Sequence, residues 1–205
     1  MSGLCHRFVN GLRARTEVEC RVKTAAGHWR YACLHREVEI PAASASVAWM
    51  QAARLLCGWR PETTGSTQVD LAGLADPIEL AQQCQPGIVC EAVPMITPQP
   101  IGERVLQAVL ENAVPIIQYG DGQHTRWSTV CGVELLDGVA QALLLLDARL
   151  PGPWGVAYNA RLELASVARA SPQFLALRAT DGQSWRVSLQ QLFIARAGAS
   201  GRDVV

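Results

Sequence analysis

Polar and apolar residues alternate over two stretches near the start of the chain. Residues 16–22 place an apolar side chain at every second position, with charged or polar residues between them. The alternation resumes over residues 28–40, after a short segment of Ala and Gly that suits a turn. A period of two residues is typical of a strand with one buried face. The pattern therefore predicts a β-hairpin between residues 16 and 40.

The pattern changes to a helical one after Pro41. Residues 42–57 predict a helix that Ser44 or Ser46 can cap and that Gly58 ends. A second helix is predicted over residues 69–83. Residues 86–100 contain four prolines and are predicted to be irregular. A third helix is predicted over 102–113, because its apolar residues recur at helical spacing on one face.

From Val114 onward, short apolar segments are separated by turn residues. Asp137 and Gly138 form one such turn, and a second lies at 120–122. A short helical turn is expected at 188–193. The predicted strands cover residues 114–119, 128–134, 141–147, 161–168, 174–179 and 185–187. Helices followed by a series of antiparallel strands indicate an α+β fold.

Length and charge exclude several classes of protein. A chain of 205 residues with 49% apolar residues can bury the core of one domain. We assign residues 1–40 to an N-terminal extension, 41–198 to the domain and 199–205 to a tail. The 18 basic and 18 acidic residues cancel, which argues against a nucleic-acid partner. No apolar run has the roughly 18 residues that a membrane span needs, so no membrane partner is expected.

The N-terminus lacks the continuous apolar stretch and the small-residue cleavage site of a secretory signal. We therefore expect a cytoplasmic protein, or one exported without a cleaved signal, as injected bacterial effectors are. The seven cysteines are spread singly and form no CxxC pair. Most are interpreted as small buried side chains, and no metal or cofactor is predicted. His6, His28 and His35 have no acidic residue at helical or metal-ligand spacing, so we expect them to face solvent.

One constellation in the second half of the chain indicates chemistry. The segment LQAVLENAVP at 106–115 precedes a strand, a turn delivers His124, the next strand contains VCG at 130–132, and LLLD at 144–147 ends another strand. This order resembles the papain-like superfamily of cysteine peptidases, and most closely its bacterial branch of bacteriocin-leader peptidases and effector proteases. The resemblance implies a papain-like fold, with an N-terminal helical part packed on an antiparallel sheet. It also implies that His124 acts as general base and that Asp147 orients its imidazole.

The chain departs from this family at the nucleophile. The family's cysteine would fall at Ala43 or Ala45, depending on which end of the first helix is used for counting. All of residues 42–46 are Ala or Ser. The family's upstream Gln is also missing, since Glu37 or Glu39 occupies that stretch. Two smaller departures are Asn112 in place of Gly and Ala148 in place of Pro.

Three explanations of the missing thiol remain open. The first is an engineered knockout of a cysteine hydrolase that acts on a peptide or a side-chain amide. The second is a naturally inactive pseudo-peptidase that binds a peptide or a protein. The third is that Ser44 or Ser46 replaces the cysteine as nucleophile. The sequence does not distinguish peptidase, deamidase and acyl transferase. Every catalytic version requires the side chains of His124 and Asp147 to meet.

Overall fold

The computed structural model describes residues 3–9, 19–23, 29–33, 48–49, 52, 55–56, 88–95, 98–147, 150, 158–166 and 174–198. These residues form a mostly antiparallel β-structure with one long helix. The elements are β1 (Leu4–Phe8), β2 (Glu19–Lys23), β3 (Trp29–Cys33), β4 (Ile88–Val93), α1 (Pro98–Leu110), β5 (Val114–Gly120), β6 (Thr125–Leu136), β7 (Val139–Leu146), β8 (Ala160–Ser166), β9 (Leu175–Ala179) and β10 (Ser184–Ala197).

The main sheet closes on itself. Its strands follow the order β6-β5-β10-β9-β8-β7, and β7 pairs back with β6. Two further strands join this ring, β1 along β6 and β4 along β10. A separate sheet consists of β2 and β3, which pair in antiparallel fashion, so the predicted N-terminal hairpin is confirmed. Both faces of β5 and most of β7 are buried, so these strands form the centre of the core.

Helix α1 packs on the closed sheet through one apolar face. Ile101, Val105, Ala108 and Val109 recur at helical spacing and are all buried. The helix ends in a Schellman motif, in which the Ala113 amide donates to the Ala108 carbonyl at 2.8 Å and the Asn112 amide donates to the Val109 carbonyl at 3.1 Å.

The backbone of Asn112 lies in the left-handed region, at φ 56°. Asparagine tolerates this conformation better than most side chains do. That tolerance explains how Asn112 ends α1 without a glycine.

The turn between β6 and β7 follows directly from its two residues. Asp137 and Gly138 both have positive φ, 52° and 82°, and the flanking residues Leu136 and Val139 are paired. This is the two-residue type I′ geometry, which matches the twist of an antiparallel hairpin and favours Asp-Gly. The predicted turn at these residues is confirmed, and it joins β6 to β7, the strand that Asp147 follows.

Three predicted elements differ from the structure. Residues 88–93 form β4 instead of irregular chain, because their backbone pairs with Ala197–Leu192 of β10. Helix α1 begins at Pro98, not at 102; proline fits the first turn of a helix, where its missing amide hydrogen has no partner to lose. The short strand and helical turn predicted over 185–193 are one long strand, β10. Pairing with β9, β5 and β4 along its length overrides the local helical pattern.

The N-terminal region is described only in parts. Ala48, Trp49, Ala52, Leu55 and Leu56 have helical backbone, as predicted for 42–57. The predicted helix at 69–83 lies outside the described residues. Strand β1 pairs with Gly132–Leu136 of β6, so residues Leu4–Phe8 are part of the main sheet. No helix in the described part of the chain is long and apolar enough to cross a membrane.

Candidate functional site

Asp147 follows directly after β7 and is only 1% exposed. Its backbone is held from both sides by the side chain of Asn159, which is also buried. The Asp147 amide donates to Asn159 Oδ1 at 2.8 Å, and Asn159 Nδ2 donates to the Asp147 carbonyl at 2.7 Å. Asn159 thus continues the β7–β8 pairing with a side chain where the strands separate. The position of the Asp147 carboxyl group is therefore fixed by the fold.

The Asp147 carboxylate accepts a short hydrogen bond from the hydroxyl of Tyr119, which lies on β5 and is buried. Burial raises the pKa of Asp147 to about 6, against the opposing effects of the Tyr119 hydrogen bond and the charge of Arg126. Burial and the nearby carboxylate also raise the pKa of Tyr119 far above its usual range. Tyr119 therefore remains a hydrogen-bond donor to Asp147 at every accessible pH.

Arg126 places a positive charge near Tyr119 and Asp147. It lies directly opposite Tyr119 in the β5–β6 register, so the two side chains share one face of the sheet. Its charge lowers the pKa of both Tyr119 and Asp147. The guanidinium Nη2 also lies 3.6 Å from Asp121 Oδ2, and the Arg126 side chain is 27% exposed. One side of this cation faces the buried pair and the other reaches solvent.

His124 lies at the β5–β6 turn, with its side chain 64% exposed. The Asp121 carboxylate accepts bonds from the His124 and Gln123 amides, both at 2.9 Å, and lies 3.8 Å from His124 Nδ1. These amide bonds, above all the one from His124, lower the pKa of Asp121.

The structure does not bring His124 and Asp147 together. Thr129 pairs with Leu146, which places Asp147 level with Ser128. His124 is four residues away along the chain from Ser128, and a strand advances about 3.3 Å per residue, so the two levels are about 13 Å apart. The His124–Asp147 hydrogen bond that the resemblance implies is not formed in this geometry. Asp147 faces Tyr119 and Arg126 instead.

The three predicted nucleophile positions, Ala43, Ser44 and Ala45, lie outside the described residues, and their assignment stays a prediction. The helical residues that follow them do contact β6, since the buried Thr129 hydroxyl donates to the Ala48 carbonyl at 2.7 Å. This bond anchors Ala48 to β6 at Thr129, the residue that pairs with Leu146 at the end of β7.

Trp127 packs against Phe193, with ring centroids 5.6 Å apart. Trp49 belongs to the N-terminal helical segment and is 1% exposed. Both tryptophans therefore contribute to packing, and neither lines an open cleft in the described part of the chain.

The cysteines and His6 refine two further expectations, whereas His28 and His35 lie outside the described residues. Cys131 is fully buried, and burial raises the pKa of its thiol, which fits the structural role predicted for it. Cys5 is exposed. His6 was expected to lack an acidic partner, but its Nε2 lies 3.3 Å from Glu134 Oε2, because β1 pairs with β6. Within the described ranges, no group of three or more His, Cys, Asp or Glu side chains could hold a metal ion.

Sequence reasoning missed Tyr119, Arg126 and Asn159, the residues that surround Asp147. A signal for two of them exists in the sequence. Tyr119 is the one polar-tipped aromatic residue at the end of the apolar segment VPIIQY, and Arg126 is the only cation among residues 125–134 of β6. The contribution of Asn159 depends on the separation of β7 and β8 and has no comparable local signal.

Comparison with known proteins does not assign this site. No protein-family model matches the chain, and no curated protein sequence matches it. The chemistry of the site is therefore argued from its geometry.

Proposed function

We propose that this chain is a non-catalytic module with a papain-like α+β fold that binds a peptide or a protein. The observation that carries the proposal is the environment of Asp147. Its carboxylate is bound to Tyr119, and the cation on the same face is Arg126. A guanidinium stays protonated at all relevant pH values and cannot serve as a general base. His124, at the β5–β6 turn, is turned to solvent.

This arrangement favours natural inactivity over an engineered knockout. Replacing one cysteine would remove the nucleophile and leave a histidine paired with Asp147. In the described part of the chain His124 does not pair with Asp147, and the Tyr119 hydroxyl donates to the carboxylate that would orient the base. The loss therefore extends beyond the position of the thiol. The same reasoning counts against Ser44 or Ser46 as nucleophile, because a serine hydroxyl depends more strongly on an adjacent base than a thiol does.

The alternative, a cysteine hydrolase seen without its nucleophile, requires His124 to leave Asp121 and move along the sheet. This alternative predicts that a cysteine restored at the nucleophile position is unusually reactive. A thiol beside an oriented imidazole ionises well below the pH of about 8.5 at which a free cysteine does. The two functions therefore predict different alkylation rates for the same set of variants.

The experiment places a single cysteine at each position from 42 to 46 of the full chain and follows alkylation by iodoacetamide between pH 5 and 9. Each variant is repeated with His124→Ala. For a non-catalytic module, all five thiols react as ordinary cysteines, and His124→Ala changes no rate. Rapid alkylation near pH 6 at one position, abolished by His124→Ala, would instead establish the hydrolase.

Binding is tested with a displayed library of random 12-residue peptides. We expect enrichment of peptides that bind the wild-type chain and bind the Arg126→Gln variant at least about tenfold more weakly, a difference of about 1.4 kcal/mol. Arg104→Gln on α1 is the matched control, and it should leave binding unchanged. If no peptide is enriched, or if the Arg126 variant binds equally well, this face is not the binding site.

A further inference from the structure

The edge of β6 that carries β1 has the features of a built strand-binding site. Residues Leu4–Phe8 pair in continuous register with Leu136–Gly132. No described strand pairs with the other edge of β1. The N-terminal strand is thus attached to the closed sheet along one side, through a ladder that any strand of matching sequence could make.

Gly132 shapes this site for an aromatic residue. It is paired with Phe8, and a Cβ atom at position 132 would lie 2.6 Å from the Arg7 carbonyl oxygen and 2.7 Å from the Phe8 ring. Real Cβ atoms do not approach backbone this closely, so any other residue at 132 would push β1 away. The Phe8 ring and the Arg7 backbone of β1 therefore occupy the space that a side chain at position 132 of β6 would need.

Glu134 gives the site a second point of recognition. It is 7% exposed and is held by the Arg161 guanidinium, and its second oxygen faces His6 of β1 at 3.3 Å. The His6 ring also contacts the rings of Phe8 and Tyr158 edge-on, with centroids 6.0 Å and 6.3 Å apart. Positions 6 and 8 point to the same face of β1, so the site recognises a histidine and an aromatic residue two positions apart.

The far end of the strand is left incompletely buried. Leu4, Leu136 and Val139 are cross-strand neighbours on three strands, and they are 62%, 45% and 55% exposed. A row of exposed apolar side chains on adjacent strands is a typical contact surface.

We infer that the β6 edge from Gly132 to Leu136 binds the Leu4–Phe8 strand of a second copy of this chain, by exchange of β1 between protomers. The contacts in such a dimer are the same as those within one chain. Only the entropy of the tether and the protein concentration distinguish the two states, which is why strand exchange is a low-cost route to dimers. This inference is independent of the proposed function, because it involves neither Asp147 nor Arg126.

The test is a complementation experiment with two full-length variants. Gly132→Val closes the acceptor edge and leaves β1 intact. His6→Asp combined with Phe8→Asp disables β1 and leaves the acceptor edge intact. Each variant alone should have the mass of one chain by light scattering. Their mixture should form a 1:1 complex, because one functional strand and one functional edge remain. Two folded variants that stay monomeric in the mixture would overturn the inference.

A second measurement covers the case in which a variant does not fold. Wild-type chains with natural and with ¹⁵N-enriched isotopes are mixed at about 1 mM, the range of effective concentrations of short tethers, and analysed by native mass spectrometry. Mixed dimers should appear and should be lost when a synthetic peptide of residues 3–9 is added in excess. The same peptide with Ala at positions 6 and 8 is the control and should leave the dimers intact. The absence of mixed dimers contradicts the inference, and so does their survival with the native peptide.

Discussion

Two buried carboxylates in this protein have pKa values that shift in opposite directions. Glu134 on β6 is 7% exposed and Asp147 after β7 is 1% exposed. A hydrogen bond from Arg161 lowers the pKa of Glu134, with smaller contributions from the charge of Arg161 and from His6. Burial raises the pKa of Asp147 to about 6. Burial alone therefore does not determine how these acids ionise.

The difference lies in the charge of the hydrogen-bond donor and in the depth of the carboxyl group, since burial is the largest cause of the pKa shift of Asp147 but not of Glu134. Arg161 donates to both oxygens of Glu134 and brings a full positive charge. Tyr119 donates to Asp147 through a neutral hydroxyl, and Arg126 acts on it only through its charge. A neutral donor compensates little of the cost of removing a carboxylate from water. Glu134 is thus stabilised in its ionised form, whereas ionising the buried Asp147 carboxyl group costs free energy of folding.

The largest effect is expected from removing the charged donor. Arg161→Met leaves Glu134 buried without its guanidinium and should lower the free energy of unfolding by about 3 kcal/mol. Urea denaturation at pH 7 measures this change. Arg178→Met is the matched control, because Arg178 contacts Glu163 from a side chain that is 60% exposed, and it should cost less than about 1 kcal/mol. Equal costs for the two variants would mean that Arg161 does not compensate Glu134.

The pH dependence of two neutral variants separates the carboxylates directly. The folded-state pKa of Asp147 is raised from 3.8 to about 6, so the folded chain binds more protons than the unfolded chain in this range. Stability conferred by protonated Asp147 is therefore lost as pH rises from about 4 to 6, on the order of 2–3 kcal/mol. Asp147→Asn should become more stable relative to wild type over that interval.

Glu134→Gln should show the opposite slope. Because the pKa of Glu134 is lowered in the folded state, wild type loses this contribution as pH falls below about 4.5, and the variant does not. Urea denaturation of wild type and both variants from pH 3 to 7 checks both signs. Parallel curves for the two variants would show that the environments do not differ as described.

The elements that the sequence predicted well are those whose signals are local. The Asp137–Gly138 turn depends on two residues, and the apolar face of α1 on spacing within one helix. The described residues form a mostly antiparallel sheet with one helix packed on it, a coarser result than the α+β papain-like fold that was expected. Strand β10 was mispredicted because its local pattern, SLQQLF, has helical character, and only pairing with β5 and β4 makes it a strand.

The candidate site was predicted less well than the fold, and the reason is geometric. Asp147 lies at the end of β7, where the sequence placed a strand end. His124 was assigned as its partner from the order of motifs that resembles the papain-like superfamily. The register of β5 and β6 instead places Arg126 beside Tyr119. A shift of two residues along a strand keeps the same face and changes the neighbour, which no composition or motif reveals.

The smallest effect tests whether β1 contributes to the state of Glu134. Among the groups that lower the pKa of Glu134, His6 acts less than Arg161, and its side chain is 30% exposed. His6→Ala should therefore cost less than about 1 kcal/mol, measured by urea denaturation beside Arg7→Ala, an exposed neighbour on the other face of β1. If His6→Ala costs as much as Arg161→Met, then Glu134 is stabilised chiefly from β1. Glu134 and Asp147 would then differ in the strand that covers them, and the charge of the donor would be secondary.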